Sequence, residues 1–189
     1  MSVGVAAVQR RRRMALPLAA AVVAIVVLWA LSPTLGDLQA AIAREEAARS
    51  GVGLGYWFGW YGGVSPGSYS LIVPALSAIT GSLALLAIAT LAIAAMAYPL
   101  SRKATRPTLL TWAIVIAAVL NMMSGRVAFA VGTAIALAAV LLLTHRRLTL
   151  CAVVLVVSGL ASPLAPAFVG LAAVPFLLGA YRSRAVWSC

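Results

Sequence analysis

The chain contains few charged residues and almost no acidic ones. Of its 189 residues only 9% are charged, and Asp and Glu together number 3, against 14 Lys and Arg. Soluble domains carry about 25% charged residues, so this composition excludes an ordinary water-soluble fold. The chain has one His and two Cys, and they do not show the spacing of a metal site. We therefore predict no metal site, and no nucleotide-binding loop or Ser/His/Asp set is present either.

Apolar residues, in contrast, make up 64% of the chain and form long continuous runs, with a mean hydropathy of +1.09. In a bilayer the backbone polar groups must be satisfied internally, which restricts a spanning chain to helices or a closed barrel. The runs are rich in Ala and Leu and do not alternate with polar residues, which favours helices. The composition predicts an all-α polytopic transmembrane bundle of about six helices.

The order of apolar and polar segments predicts the organisation of the chain. The predicted segments are a basic cytoplasmic tail at 1–13, a transmembrane helix at 14–32, an outer loop at 33–69, a transmembrane region of about five helices at 70–180 and a cytoplasmic tail at 181–189. The first apolar run has Pro17 in its first turn, where proline is tolerated. Its length favours an uncleaved anchor over a signal peptide.

Three of the later runs differ from an average crossing in length. The run at 70–98 is long and is read as one crossing, whereas the runs at 148–160 and 167–180 are shorter than the roughly 20 residues that a spanning helix needs. The two short runs therefore form either a re-entrant hairpin or crossings completed by flanking turn residues.

Basic residues occur in clusters between the apolar runs. The clusters are Arg10 to Arg13; Arg102, Lys103 and Arg106; Arg146 and Arg147; and Arg182 and Arg184. Six crossings place all of them on one side, and the remaining charges sum to zero on the other. By the positive-inside rule this predicts an inner-membrane protein with a cytoplasmic N-terminus. It also argues against nucleic acid as a partner, because a basic binding stripe requires an exposed soluble face.

The acidic residues all lie in the predicted outer loop, in a segment that is typical of a short amphipathic helix. Asp37 is placed where an N-cap residue would be, and Glu45 and Arg49 form an i,i+4 pair. We predict that Glu45 and Glu46 are both exposed to solvent. A modest apolar face at Leu38, Ala41 and Ile42 predicts that this helix lies along the outer membrane surface.

An aromatic cluster interleaved with glycines follows this helix. It consists of Tyr56, Trp57, Phe58, Trp60, Tyr61 and Tyr69. One interpretation is an interfacial aromatic belt. The other is a binding platform for a sugar or a lipid headgroup, since glycines allow close approach of the backbone to a ligand.

Two charged residues of the outer side also allow two interpretations. Asp37 is either a helix cap or a carboxylate that serves as general base or metal ligand at the end of the first crossing. Arg126 either extends to the membrane interface or holds a phosphate.

Taken in order, several short motifs resemble a known family. The motifs are Gly36-Asp37-Leu38-Gln39-Ala40, Tyr56-Trp57-Phe58-Gly59-Trp60-Tyr61-Gly62-Gly63, Pro66-Gly67-Ser68-Tyr69-Ser70, Ser124-Gly125-Arg126-Val127-Ala128-Phe129 and Ala161-Ser162-Pro163-Leu164-Ala165. They resemble the N-terminal part of actinobacterial multi-pass membrane proteins related to the C-superfamily glycosyltransferases. That resemblance implies a polyprenyl-phosphate sugar as substrate on the outer face and an acidic catalytic residue in the first outer loop.

The resemblance assigns roles to particular residues of this chain. It implies that Asp37 is catalytic and that the aromatic-glycine segment lines the substrate cavity. The predicted substrate contacts are therefore Trp57, Trp60, Tyr61 and Tyr69, together with Arg126 as the candidate phosphate ligand. Family members are usually longer, so the chain is interpreted as an N-terminal module, a truncated reading frame or a relative without activity, and the sequence leaves its enzymatic activity and any cofactor open. The alternative is a non-enzymatic multi-pass protein, such as a small transporter or an assembly subunit.

Overall fold

The computed structural model describes residues 2–31, 34–52, 54 and 69–187, and the regular structure in this part of the chain is entirely helical. The helices are α1 (Ser2–Leu31), α2 (Gly36–Arg49), α3 (Val73–Thr80), α4 (Ser82–Ser101), α5 (Pro107–Ser124), α6 (Val127–Thr144), α7 (Leu148–Ala161) and α8 (Leu164–Trp187). The predicted all-α bundle is confirmed. The predicted count of about six helices and one short outer helix is too low, because the second predicted crossing contains two helices.

Among the described residues, four helices are long and apolar enough to cross a membrane, and this agrees with a multi-pass membrane protein. They are Met14–Leu31 within α1 and the whole of α4, α5 and α6. Helix α1 extends beyond its apolar part to Ser2, so Pro17 lies inside the helix and not in its first turn as predicted. The apolar stretches Leu148–Ala161 and Leu164–Pro175 are shorter.

The segment at 70–98, predicted as one crossing, is divided between α3 and α4. Gly81 separates them with φ +85° and ψ 140°, a backbone conformation that residues with a Cβ rarely adopt. Its amide donates a hydrogen bond of 2.7 Å to the carbonyl of Ser77 and so ends α3. Both sides of the break are apolar, which is why hydropathy alone did not indicate it.

The last two predicted runs form helices of unequal length. Helix α7 has 14 residues, about 21 Å at 1.5 Å per residue. Helix α8 has 24 residues, about 36 Å, and contains Pro175. Flanking residues on both sides of the run at 167–180 thus belong to α8, as in the predicted alternative in which turn residues lengthen the helix.

Two buried clusters show how the long helices run relative to one another. Ala21 of α1 packs with Ala94 and Ala97 of α4 and Val115 of α5. A second cluster joins later residues of α1 and α5, including Ile25 and Met122, to earlier residues of α4 such as Leu86, and to the start of α6. Helices α1 and α5 are therefore antiparallel to α4, and for α5 the short connection after α4 requires this direction. Small alanine side chains at these contacts allow the helix backbones to approach closely.

This arrangement places the polar connections at opposite ends of the bundle. One end, here called the α2 end, contains α2, α3 and the turns at 125–126 and 162–163. The amide of Leu71 donates to the carbonyl of Leu160 there at 2.9 Å. The other end, here called the basic end, contains the exposed residues Arg102, Lys103, Arg106, Arg146 and Arg147. All three acids of the protein belong to α2, so the two ends differ strongly in charge.

Candidate functional site

Helix α2 packs against the end of the bundle through two of the three residues that were predicted to face the membrane. Leu38 is buried in the cluster that includes Val73, Met122 and Val127, and Ala41 packs against the same cluster. Ile42 is exposed. The predicted short outer helix is present, but its main apolar contacts are with protein, because the ends of α4, α5 and α6 leave apolar surface that Leu38 covers.

The turn between α5 and α6 holds the start of α2 in place. Gly125 ends α5 in the left-handed region at φ +78° and ψ 14°, which is a common helix C-terminus for glycine. A Cβ added to Gly125 would lie 2.5 Å from the amide nitrogen of Leu38 and 2.9 Å from its Cβ. Glycine is therefore required here for its conformation and for its small size.

Replacing Gly125 by alanine is expected to destabilise the protein by about 2–5 kcal/mol. Left-handed backbone costs a residue with a Cβ about 1–2 kcal/mol, and overpacking costs about 1–3 kcal/mol. The contact is with backbone of α2, which cannot rotate away as a flexible side chain would. Thermal unfolding in detergent micelles, followed by circular dichroism, measures the change.

Gly51 provides the matched control for this experiment. It has the same φ of +78°, but an added Cβ would meet nothing within 4 Å. Gly51→Ala should therefore show the conformational cost alone, about 1–2 kcal/mol. Equal destabilisation by the two substitutions would show that the close approach of Gly125 to Leu38 does not matter.

The two charged residues that were each left with two interpretations form an ion pair. Nε of Arg126 donates to Oδ2 of Asp37 at 2.8 Å, although the residues are 89 positions apart. Both side chains are largely exposed, at 57% for Asp37 and 64% for Arg126. Asp37 is not the N-cap residue: Leu35 occupies that position, and α2 has no side-chain cap there. The predicted cap role of Asp37 is wrong, and its carboxylate is instead presented at the surface beside a cation.

Glu45, predicted to be solvated, is the most buried of the three acids of α2. Its side chain is only 12% exposed and pairs with Arg49 at 2.7 Å, as the i,i+4 spacing predicted. Its Oε2 also accepts a hydrogen bond of 2.6 Å from the backbone N–H of Ser82, the first residue of α4. The residue before that helix is Gly81, which has no side chain to cap it. Glu45 therefore caps α4 from another helix and ties α2 to the bundle.

Tyr69, the described member of the predicted aromatic platform, contacts the turn between α7 and α8. Its hydroxyl lies 2.8 Å from Oγ of Ser162. The neighbouring Ser70 accepts a hydrogen bond of 3.1 Å from the N–H of Val73, the first residue of α3. Tyr69 is 43% exposed, which leaves much of its ring accessible at the α2 end.

A small cleft lies between α2, α3 and α6, with Arg44 as its charged residue. It is lined by Ala41, Arg44, Ser70, Val73, Pro74, Ser77, Val127 and Ala128, and it has a volume of about 40 Å³. Burial lowers the pKa of the Arg44 guanidinium below its usual value, because a low-dielectric environment disfavours the charged form. Arginine nevertheless stays cationic at neutral pH.

The predicted site residues are thus brought together only in part. The structure joins Asp37 to Arg126 and places Tyr69 at the same end of the bundle, against a different turn. Trp57, Trp60 and Tyr61 lie outside the described residues. Within the described ranges, no three His, Cys, Asp or Glu side chains come together in a way that could hold a metal ion.

Two residues of this end were missed as candidates from the sequence. In the sequence, Arg44 is one of several charged residues on a polar helix. Only the packing of α2 against the bundle places it beside a cleft. Glu45 had an indirect signal, because Gly81-Ser82 begins a helix without a capping side chain. Such a start needs a partner from elsewhere in the chain when it is buried.

Comparison with known proteins does not assign the chain to a family. No family model, curated protein or solved structure matches the chain. The resemblance to lipid-linked-sugar glycosyltransferases therefore stays a prediction that rests on the residues quoted for it.

Proposed function

We propose that the chain is a multi-pass protein of the inner membrane, with the basic end in the cytoplasm and the α2 end on the outer face. This proposal is supported by the positions of the charged residues in the connections between the helices. Cations without acids accumulate at the cytoplasmic ends of membrane helices, and here the described basic connections share one end while all three acids belong to α2 at the other.

This orientation predicts a clear labelling pattern. Single cysteines at Lys103 and Arg147, introduced after replacing Cys151 and Cys189 by Ser, should be protected from a membrane-impermeant thiol reagent in intact cells. A cysteine at the exposed Glu46 should react. The other positive charges of the same connections, at Arg102, Arg106 and Arg146, resist transfer across the membrane, whereas α2 lies beyond it. Labelling at position 103 in intact cells would contradict the proposed orientation.

For the α2 end we propose the function of an N-terminal module, or a truncated relative, of a glycosyltransferase that uses polyprenyl-phosphate sugars. The observation that carries this proposal is the pair of Asp37 and Arg126, since it presents an exposed carboxylate directly after the first crossing. In glycosyl transfer the acceptor hydroxyl loses a proton as the new bond to the anomeric carbon forms. A carboxylate within hydrogen-bond reach can take that proton.

The ion pair suits this chemistry in two ways. Arg126 restricts the orientation of the carboxylate, and positioning is a large part of catalysis. The bond to Asp37 uses one of five N–H donors of the guanidinium, so the same side chain has further donors for a substrate oxygen.

A transfer assay tests the proposal directly. The purified chain is reconstituted into liposomes with a radiolabelled polyprenyl-phosphate sugar and a mixture of sugar acceptors, and product formation is followed. Label should move to an acceptor only when the protein is present. Normal folding without any transfer, by the chain alone and by the protein extended with its adjoining coding sequence, would reject the proposal.

One observation favours the non-enzymatic alternative. The cleft beside α2 has a volume of about 40 Å³, whereas sites for whole small molecules are about 300–1,000 Å³. A donor of sugar and lipid does not fit it. In the non-enzymatic case the α2 end would contact a partner protein, and the folded chain would copurify with that partner without transferring sugar.

A further inference from the structure

The basic end of the bundle carries cations for which the chain supplies no acidic side chain. They lie in the connection between α4 and α5 and in the connection between α6 and α7, and all are exposed: Arg102, Lys103, Arg106, Arg146 and Arg147. The three acidic residues of the chain, Asp37, Glu45 and Glu46, all belong to α2 at the opposite end. An acidic group that pairs with these side chains therefore comes from another molecule.

We propose that the basic end binds anionic phospholipids, with its cations on the phosphate groups and neighbouring leucines on the acyl chains. This proposal rests on the proposed multi-pass arrangement, because that arrangement places the basic end at a membrane surface. It goes beyond that arrangement by naming the lipid class that this end selects.

Exposed leucines lie directly beside the cations in the sequence. Leu148 follows Arg147 and is 66% exposed, and Leu109 lies three positions after Arg106 and is 62% exposed. Exposed apolar area favours contact with hydrocarbon over contact with water. A phospholipid offers an anionic headgroup and hydrocarbon next to each other, whereas free phosphate or a soluble acidic polymer offers only the charge. The neighbouring leucines therefore favour a lipid.

The connection between α6 and α7 is exposed along its whole length. Every residue from 143 to 150 is exposed, so the first residues of α7 contact little of the bundle. This stretch contains Leu143, Leu148 and Leu150 as well as the two arginines. It therefore presents cationic and apolar side chains together, away from the packed helices.

Arg146 adopts a backbone conformation that favours glycine. Its φ is +58°, its amide donates to the carbonyl of Leu143 at 2.9 Å, and the amide of Arg147 donates to the carbonyl of Leu142 at 3.0 Å. Helices commonly end in this way with glycine at the left-handed position. Arginine is less stable there because of its Cβ. A strained residue of this kind favours a role for its side chain in binding over a role in the stability of the turn.

The cations also lie at the depth where lipid headgroups are found. Arg102 directly follows α4 and Arg106 directly precedes α5, and both helices are long and apolar enough to cross a membrane. Residues that flank such helices lie at the surface of the hydrocarbon core. An anionic lipid surface attracts each Lys or Arg there by about fivefold in affinity.

Binding is measured with the full chain in dodecyl maltoside micelles, which carry no charge. The probes are phosphatidylglycerol and phosphatidylcholine with the same pyrene-labelled acyl chain, so that both enter the micelle equally. Energy transfer from the tryptophans of the protein to pyrene reports the affinity. Phosphatidylglycerol should bind at least about tenfold more tightly than phosphatidylcholine, because several cations contribute. Equal affinities for the two lipids would overturn the proposal.

Competitors distinguish a lipid from a soluble anion. Inorganic phosphate is an anion without acyl chains, and polyglutamate represents an acidic protein segment. Neither should displace pyrene-labelled phosphatidylglycerol when added at the same concentration of charge as unlabelled phosphatidylglycerol, which should displace it. Displacement by polyglutamate or phosphate as effective as that by the lipid would assign the surface to a soluble partner and overturn the proposal.

Variants locate the lipid on the protein. Replacing both Arg146 and Arg147 by Gln should weaken phosphatidylglycerol by about 25-fold, at about fivefold for each cation, and should leave phosphatidylcholine unchanged. Arg49→Gln is the matched control, because it removes a cation at the α2 end that pairs with Glu45. Its affinity should stay within about twofold. Equal affinities of the double variant and Arg49→Gln would show that the connection between α6 and α7 does not bind the lipid.

Arg146→Gly separates binding from stability and keeps the proposal testable if the double variant does not fold. Glycine relieves the left-handed conformation, so the unfolding temperature in micelles without anionic lipid should rise. Affinity for phosphatidylglycerol should nevertheless fall by about fivefold. Unchanged affinity would show that the charge of Arg146 does not contribute. These readouts involve neither the side of the membrane nor sugar transfer, so lipid binding can fail while thiol labelling and the transfer assay succeed, and the reverse.

Discussion

Asp37→Asn is expected to reduce sugar transfer by about 10²–10⁴-fold, the range that a general base contributes. Asn keeps the size of the side chain and removes its ability to accept a proton. The measurement is the initial rate of label transfer from a polyprenyl-phosphate sugar in liposomes. Circular dichroism and thermal unfolding of the same preparation show whether the fold is retained.

The structure makes this substitution a sharper test than the sequence suggested. Asp37 does not cap α2, so changing it removes no cap hydrogen bond. The exposed pair with Arg126 contributes about 0.2–1 kcal/mol. The charge in the first turn of α2 adds about 0.3–1 kcal/mol through the helix dipole. A large loss of activity therefore cannot be attributed to unfolding.

Glu46→Gln is the matched control for Asp37. Glu46 lies on the same helix and is exposed, so it shares the charge and the environment without being next to Arg126. Its transfer rate should stay within about twofold of the unchanged protein. Full activity in Asp37→Asn would end the catalytic role and leave Asp37 as a surface partner of Arg126.

Glu45→Ala is expected to lower the free energy of unfolding by about 1.5–3 kcal/mol, the range for a hydrogen bond to a charged group. The substitution removes the acceptor of the Ser82 amide and leaves the start of α4 without a cap. It also removes the partner of Arg49. Thermal unfolding in micelles gives the stability, and hydrogen exchange of the Ser82 amide shows the loss locally.

Two variants separate the cap from the ion pair. Glu45→Gln keeps an oxygen for the Ser82 amide but loses the charge, so it should cost less than Glu45→Ala. Glu46→Ala removes a neighbouring exposed charge and should change stability by about 0.5 kcal/mol at most. If Glu45→Ala unfolds at the same temperature as Glu46→Ala, the hydrogen bond from Ser82 does not stabilise the bundle.

The predicted second crossing shows that hydropathy can locate an apolar segment but cannot locate a break between two helices within it. The apolar run at 70–98 was read as one helix, because every residue near its middle is small or apolar. Gly81 breaks it through a positive φ that a hydropathy scale does not detect. The polar Glu45 that compensates the break lies 37 positions earlier in the chain.

The candidate site was predictable to a similar extent. Asp37 and Arg126 could be chosen one by one, from residue type and from their place at the ends of apolar runs. The contact between them could not be predicted, because it depends on how the turn at Gly125 packs against the start of α2. Arg44 was not chosen at all, since only its packing against Val127 and the residues of α3 gives it a cleft.

The sequence alone determined that the protein is a helical bundle with several helices apolar enough to cross a membrane, with a short helix that carries all three acids and with its basic connections at one end. These properties follow from the lengths of apolar runs and the places of charges, which act locally because a bilayer penalises each exposed polar group separately. Only the tertiary structure decided that Glu45 caps α4, that Asp37 pairs with Arg126 and that Arg44 lines a cleft. Those contacts depend on the angles and offsets at which helices pack, and these are set jointly by side chains on several helices.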